Sequence, residues 1–448
     1  MSAPARWFSD PPPHLPDVTE IVTAPLLERS AGRGWWMAFA FSLSLTLVLA
    51  VAVTWLFTEG VGTWGVNTTV VWGFAIANYV WWIALGSGGT LISAILVVTR
   101  QDWRRSINRF AEGMTLFAVA VAGLFPILHL GRPMYFYWLA PYPNTMALWP
   151  QWRSALVWDF WAILSYLIFS AVFFYVGVLP DFATMRDRAR SRRAQMFYGV
   201  LALGWRGSIR QWRSLESLHR TLAALGIPMV VSVHSIVGLD FAASLMRGWQ
   251  ETNFPPYFVV GALFSGFAMV LLVTAAFRWR MKWSSIITMA HFDAMAKIIL
   301  AGSLLMSLSY ATEWFDAWWN GKAPDRSLVA FQFTGSYAGL YWTMLVCNCV
   351  IPLALWRPGV RRSLPLLICV CFAVLIGMWI ERILIIWNTL SHGYAVTLWR
   401  LFTPTIWDWM ITLGSAGLFM TLFLLWTRLV PAVSMHGVRA LCREEKLT

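Results

Sequence analysis

The sequence predicts an all-α protein that crosses a membrane about ten times. Its 448 residues are 58% hydrophobic and only 12% charged, with a mean hydropathy of +0.61. A soluble protein of this size has no use for so much apolar surface. Apolar runs long enough to span a bilayer also recur along almost the whole chain. The net charge of +13 would suit nucleic acid, but the arginines lie in short connections between the apolar runs. That pattern orients a membrane protein, so lipid is the expected partner and nucleic acid is not.

Residues 1–34 are polar and carry Pro11–Pro13, Pro16 and Pro25. They lack the apolar core of a signal peptide and are read as an ordered or semi-ordered tail, not a cleaved leader. Apolar runs follow at about 35–57, 69–99, 110–130, 155–179, 221–246, 257–278, 288–312, 333–356, 364–387 and 404–428; at roughly 20 residues per crossing this makes ten helices. The second run is overlong and contains Gly86, Gly88 and Gly89, which suggests a tilt or a bend. The membrane region therefore covers 35–430, with a short tail at 431–448.

The tails and even-numbered connections hold roughly 26 Lys and Arg against roughly 6 in the others, which predicts that both termini are cytoplasmic. The longest basic connection, Asp181–Arg220, includes Arg186, Arg188, Arg190, Arg192 and Arg193 and reads as a topology anchor near anionic lipid. Many of the 30 tryptophans fall at run ends, as in interfacial belts. The five cysteines are Cys347, Cys349, Cys369, Cys371 and Cys442, with no C-x-x-C spacing. Covalent c-type haem is thereby excluded, and no cysteine-ligated iron–sulfur cluster is expected in this chain.

Ionisable residues inside the apolar runs are costly and mark function by default. Pro126–Pro133, P-I-L-H-L-G-R-P, places His129 at the outer end of the third run, and Asp159 begins the fourth. On the fifth, His234 lies a little deeper than Asp240; Glu381 and Arg382 end the ninth, and Asp408 begins the tenth. With the predicted orientation all seven gather near the outer face. Each also has a structural reading: Glu381 and Asp408 as local helix-end pairs, Arg382 as the neutraliser of a carboxylate such as Asp240. His234 and Asp240 are six residues apart, about 240° around a helix, and cannot point the same way. A second group, His291, Asp293 and Lys297, lies at the opposite end of the seventh run. Asp293 and Lys297 have the i, i+4 spacing of an ion pair; part of an inner proton path is the alternative.

An imidazole and a carboxylate in apolar surroundings near the outer face suit quinol oxidation. The two hydroxyls must lose protons as electrons depart, and a base belongs at each. Nothing in the chain takes the electrons onward, so the reading requires a redox partner on the outer face.

H-L-G-R-P followed by Met134–Leu139 resembles the L-G-R-P signature of the NrfD/PsrC-type (polysulfide reductase NrfD) family of membrane subunits. Members often have Asp before L-G-R-P, where this chain has His129. With V-W-D-F at 157–160, S-V-H-S-I-V-G-L-D-F-A at 232–242 and ten helices rather than eight, the chain is more similar to the C-subunit branch (ActC) of bacterial alternative complex III. The resemblance implies two four-helix bundles, helices 2–5 (about 69–246) and 6–9 (about 257–387), flanked by helices 1 and 10. It implies a quinol pocket in the first bundle formed by His129, Asp159 and Asp240, with Arg382 and His234 contributing. His129 and Asp159 would be the bases, Asp240 and Arg382 the exit relay, and Glu381, Asp408, His291, Asp293 and Lys297 further proton-path candidates.

The implied cofactor is a quinol or quinone, menaquinol being expected. The implied partners are c-type cytochrome subunits, a periplasmic iron–sulfur, molybdopterin-like subunit and a second NrfD-like membrane subunit, in a bacterial inner membrane. The rival readings are a membrane anchor of a polysulfide, nitrite or molybdopterin-type reductase, a b-type cytochrome using His129 and His234, and a proton-coupled transporter.

Overall fold

A computed structural model describes residues 7–8, 15–28, 30–250 and 253–447. Of the tail expected at 1–34, residues 1–6, 9–14 and 29 lie outside the described residues. Ten helices are long and apolar enough to cross a membrane, and no strand occurs among the described residues. We number them α1 (Arg33–Glu59), α2 (Phe74–Val98), α3 (Arg104–Leu128), α4 (Ala155–Arg188), α5 (Ile209–Ala242), α6 (Phe254–Met281), α7 (Met289–Trp319), α8 (Ala338–Trp356), α9 (Leu364–Ser391) and α10 (Ile406–Leu429). Helices predominate because each backbone N–H and C=O in lipid must be satisfied within its own segment.

The helix packing has two centres. In the first, α2, α3, α4 and α5 pack together; in the second, α6, α7, α8 and α9 do. α2 and α6 join the two, and α2 is buried along nearly all of its length. Gly88 makes this possible: a Cβ there would overlap the Ala262 carbonyl and the Gly266 Cα of α6. Small residues let membrane helices approach where no hydrophobic drive separates them from lipid. Of the tilt or bend expected in the glycine-containing second run, the bend does not occur. α2 is continuous, the run is overlong because 69–73 precede the helix, and Gly86, Gly88 and Gly89 face neighbouring helices.

The broken helix is α8 instead. Residues Val346–Val350 form a π turn, and Ile351–Trp356 continue as a 3₁₀ segment. Pro352 has no N–H to offer the Asn348 carbonyl four residues back. The Ser303 hydroxyl of α7 donates to that carbonyl at 2.6 Å.

Among the ten, α1 packs on α10, sharing a Thr46–Thr421 hydroxyl contact of 3.0 Å, and Phe41, Leu47 and Val51 on its other faces are more than half exposed. Apolar exposure on this scale fits a lipid-facing helix. At the arginine-rich end, helix Leu15–Leu27 buries Val18 and Val22, and Arg428 of α10 donates to the Pro25 carbonyl at 2.7 Å. The C-terminal helix Met435–Leu447 packs on α3 and α4. The tail residues described here are thus largely helical.

Candidate functional site

The L-G-R-P stretch is a turn. α3 ends in a short helical piece, Phe125–Leu128, and His129 caps it, its N–H donating to the Phe125 carbonyl at 3.0 Å. Gly131 follows with φ of 81°, a left-handed conformation that a side chain would strain. Pro133 then opens a 3₁₀ segment, Pro133–Leu139. The turn leaves the His129 ring 6.2 Å from the ring of Tyr79 on α2, at an angle of 60°.

Tyr79 is the residue that the sequence reading missed. It is 1% exposed, and Asp159 of α4 and Asp240 of α5 are its charged neighbours. Asp159 and Asp240 also neighbour one another. Proximity is not satisfaction here. The Tyr79 hydroxyl, the Asp159 Oδ1, the Asp240 Oδ1 and the His129 Nε2 are all buried, and none makes a well-formed hydrogen bond among the described residues, although Tyr79 and Asp240 both approach Asp159 closely enough for weak ones. One orphaned buried polar atom costs on the order of 1–3 kcal/mol. The tyrosine hydroxyl and three more such atoms around it are what a polar-edged ligand would relieve. Such a group can take protons from a hydroxyl-bearing, otherwise apolar molecule.

The expected single outer cluster divides. His234 is fully buried, neither of its ring nitrogens has a hydrogen-bond partner among the described residues, and Arg382 is a charged neighbour. His234 and Asp240 thus face different groups, as the 240° separation requires. Arg382 does not neutralise Asp240. Its Nη1 lies 3.0 Å from Glu381 Oε1, and its guanidinium covers the Phe258 ring at 4.3 Å, on α6. Glu381 in turn accepts from the Tyr310 hydroxyl and, at 3.3 Å, from the Asn348 amide that the π turn presents. These two residues belong to the second helix group, beside a pocket lined by Trp249, Tyr257, Tyr310, Glu313, Glu381 and Asn388.

Asp408 is a helix cap. Its Oδ2 accepts from the Thr405 and Gly65 N–H groups at 2.8 and 2.9 Å. At the other end of the molecule, Asp293 pairs with Lys297 and with Arg361, each at 2.7 Å. His291 takes the Thr288 N–H on Nδ1 at 3.2 Å and abuts Trp7. Asp293 is thus engaged by two cations, whereas the His291 Nε2 is buried with no hydrogen-bond partner among the described residues. A further buried set at that end, Arg109 with Asp181 (2.8 Å) and Glu112 with Ser93 (2.8 Å), also escaped the sequence reading. Arg109 and Glu112 sit at the start of the third crossing, where their charge reads as ordinary boundary polarity. No group of three or more His, Cys, Asp or Glu suited to a metal occurs among the described residues.

The family described as polysulphide reductase, NrfD, matches residues 63–392, well over half of the chain and all of its two helix groups up to the end of α9. The chain belongs to the NrfD family. Two relatives extend the comparison. The C subunit of a selenate reductase from Mesobacillus selenatarsenatis is 24% identical over 395 residues, 84% of this chain and 89% of that one. A Halobacterium salinarum protein, provisionally described as the membrane C subunit of a dimethyl sulfoxide reductase, is 26% identical over 235 residues, 49% of each chain. This NrfD chain therefore spans about half the length of the Halobacterium relative and most of the Mesobacillus one. The NrfD match runs from residue 63 to residue 392, so α1 and α10 lie outside it.

Proposed function

We propose that this NrfD chain is the quinol-oxidising membrane subunit of a multi-subunit oxidoreductase, with its pocket around Tyr79. The observation that carries the reading is the set of four buried polar atoms without a well-formed hydrogen bond, on His129, Asp159, Asp240 and Tyr79. Their chemistry matches a ring with two hydroxyls on an apolar body. A bound quinol supplies two electrons and two protons. His129 Nε2 accepts one proton; Asp159 accepts the other, with Tyr79 holding it in line and Asp240 passing it outward.

The electrons leave through a partner, and the same connection offers a surface for it. Phe136, Trp138, Met146, Trp149 and Trp152, all between α3 and α4, are 43–74% exposed. Exposed aromatic patches of this kind anchor protein interfaces.

Two partner sets fit. The order of the H-L-G-R-P, V-W-D-F and H-S-I-V-G-L-D motifs supports the C subunit of alternative complex III, with c-type cytochromes, a periplasmic iron–sulfur subunit and a second NrfD-like subunit, menaquinol being the donor. The names of the two relatives support a second reading, the membrane subunit of a molybdopterin-type reductase, in which the same pocket feeds a terminal reductase. Purification in mild detergent followed by quinol addition separates them. Reduction of co-purifying c-type haem favours the first reading, and a molybdenum enzyme bound in its place favours the second. Asp159→Asn tests the pocket itself. Quinol oxidation is expected to fall by about 10²–10⁴-fold, the range for a lost acid–base group, with the complex still assembled. Wild-type turnover in that variant would remove Asp159 from the mechanism.

A further inference from the structure

The arginine-rich end carries a feature that the quinol reading does not use. Between the end of α4, the turn at 202–208 and the C-terminal helix lies a cleft of about 600 Å³, its open mouth included. Arg186, Arg206, Arg439, Thr184, Trp212 and His436 line it. Its two carboxylates are already engaged. Asp181 is ion-paired with buried Arg109 at 2.8 Å and takes the Met435 N–H at 3.2 Å. Asp187 lies 2.7 Å from Arg186 and is largely in solvent. Arg206 and Arg439 have no ion-pair partner among the described residues. His436 is stacked on Trp212 at 4.0 Å, and burial lowers its imidazole below the usual value, so it adds a wall rather than a charge. The cleft is a cationic site short of an anion.

What adjoins it decides which anion. A second cleft shares Arg186 and Asp187 and runs on through Arg192 and Gln195 to Met196, on helix Arg192–Leu201. That helix, the turn after it and the start of α5 leave Met196, Phe197, Val200, Leu203 and Ile209 between 46% and 73% exposed. An arginine at one edge and an apolar face at the other describe a helix lying in a membrane interface. A soluble anion would use the arginines and leave this face uncovered.

We propose that the cleft binds the phosphodiester of an anionic phospholipid, with Arg206 and Arg439 on the phosphate and the acyl chains along Met196, Phe197, Val200 and Leu203. Basic pockets beside membrane helices recognise such headgroups by charge. The site is independent of the quinol pocket, which lies at the opposite end of α4.

The test is native mass spectrometry of the purified full chain titrated with phosphatidylglycerol or phosphatidylcholine, with inorganic phosphate as competitor. Wild type is expected to retain one phosphatidylglycerol in preference to phosphatidylcholine. The Arg206→Gln/Arg439→Gln pair is expected to weaken that lipid by about 10–30-fold, on the scale of surface arginines and anionic lipid. Val200→Asn/Leu203→Asn, which leaves the arginines in place, is expected to weaken it as well. Equal retention of the two lipids, or no change in the arginine variant, would overturn the proposal. Full displacement by phosphate would overturn it too and assign the cleft to a free anion.

Discussion

Single residues here are read through their unmet needs. Arg382 is 1% exposed, and the adjacent Glu381 carboxylate is its one ion-pair partner among the described residues. Breaking a buried pair from one side leaves a bare charge, which costs ~3–5 kcal/mol. Glu381→Gln is therefore expected to lower the thermal stability of the detergent-purified chain sharply. Glu381→Gln/Arg382→Met, which removes both charges, is expected to recover most of the loss. If the single variant melts with wild type, the pair contributes nothing. Asp408 makes a contrast, because both carboxylates fall at apolar-run ends in the sequence. It spends its Oδ2 on backbone N–H groups of its own helix start and of Gly65, in a capping box with Thr405. Glu381 spends its Oε2 on Tyr310 and Asn348, whose arrival from α7 and α8 no local pattern announces.

At the scale of the element, α8 shows how one proline reshapes a helix and serves a neighbour. Pro352 frees the Asn348 carbonyl, the helix widens into a π turn, and the Asn348 side chain reaches Tyr310 at 3.0 Å. π turns of this kind concentrate at functional positions. Ser303 carries the freed carbonyl, so Ser303→Ala should cost ~1–3 kcal/mol by orphaning it. Ser303→Thr, which keeps the hydroxyl, should cost less. A thermal melt of the two variants checks this, and equal melting would mean that the carbonyl finds another donor. The glycines of α2 show the reverse. Three glycines within four residues read locally as a weak point, yet they lie where α3 and α6 approach closely, and the helix stays continuous.

For the molecule as a whole, the skew of Lys and Arg to one end predicts that both termini face the cytoplasm. A reporter active only outside the membrane should be silent when fused after the last residue and active when inserted near Asn144, in the connection that follows the L-G-R-P turn. Activity at both places would overturn the orientation and, with it, proton release to the outer side. Asp159 lies near the start of α4 and Arg186 near its end, so the two proposed sites stand at opposite ends and should respond to separate mutations.

Hydropathy alone determined the ten crossings, because each apolar run must be long enough to span lipid and each helix satisfies its own backbone. Motif order determined the family and pointed to His129, Asp159 and Asp240, since intramembrane charge is too costly to retain without use. Which of those charges meet was decided only by tertiary structure. Helix faces rotate by about 100° per residue, so residues at one depth can point to different neighbours: Asp240 to Asp159, His234 to Arg382, Arg382 to Glu381. Tyr79 stands on α2, a helix that joins the two centres, and an uncharged residue in an apolar run carries no sign of its partners until the helices are assembled.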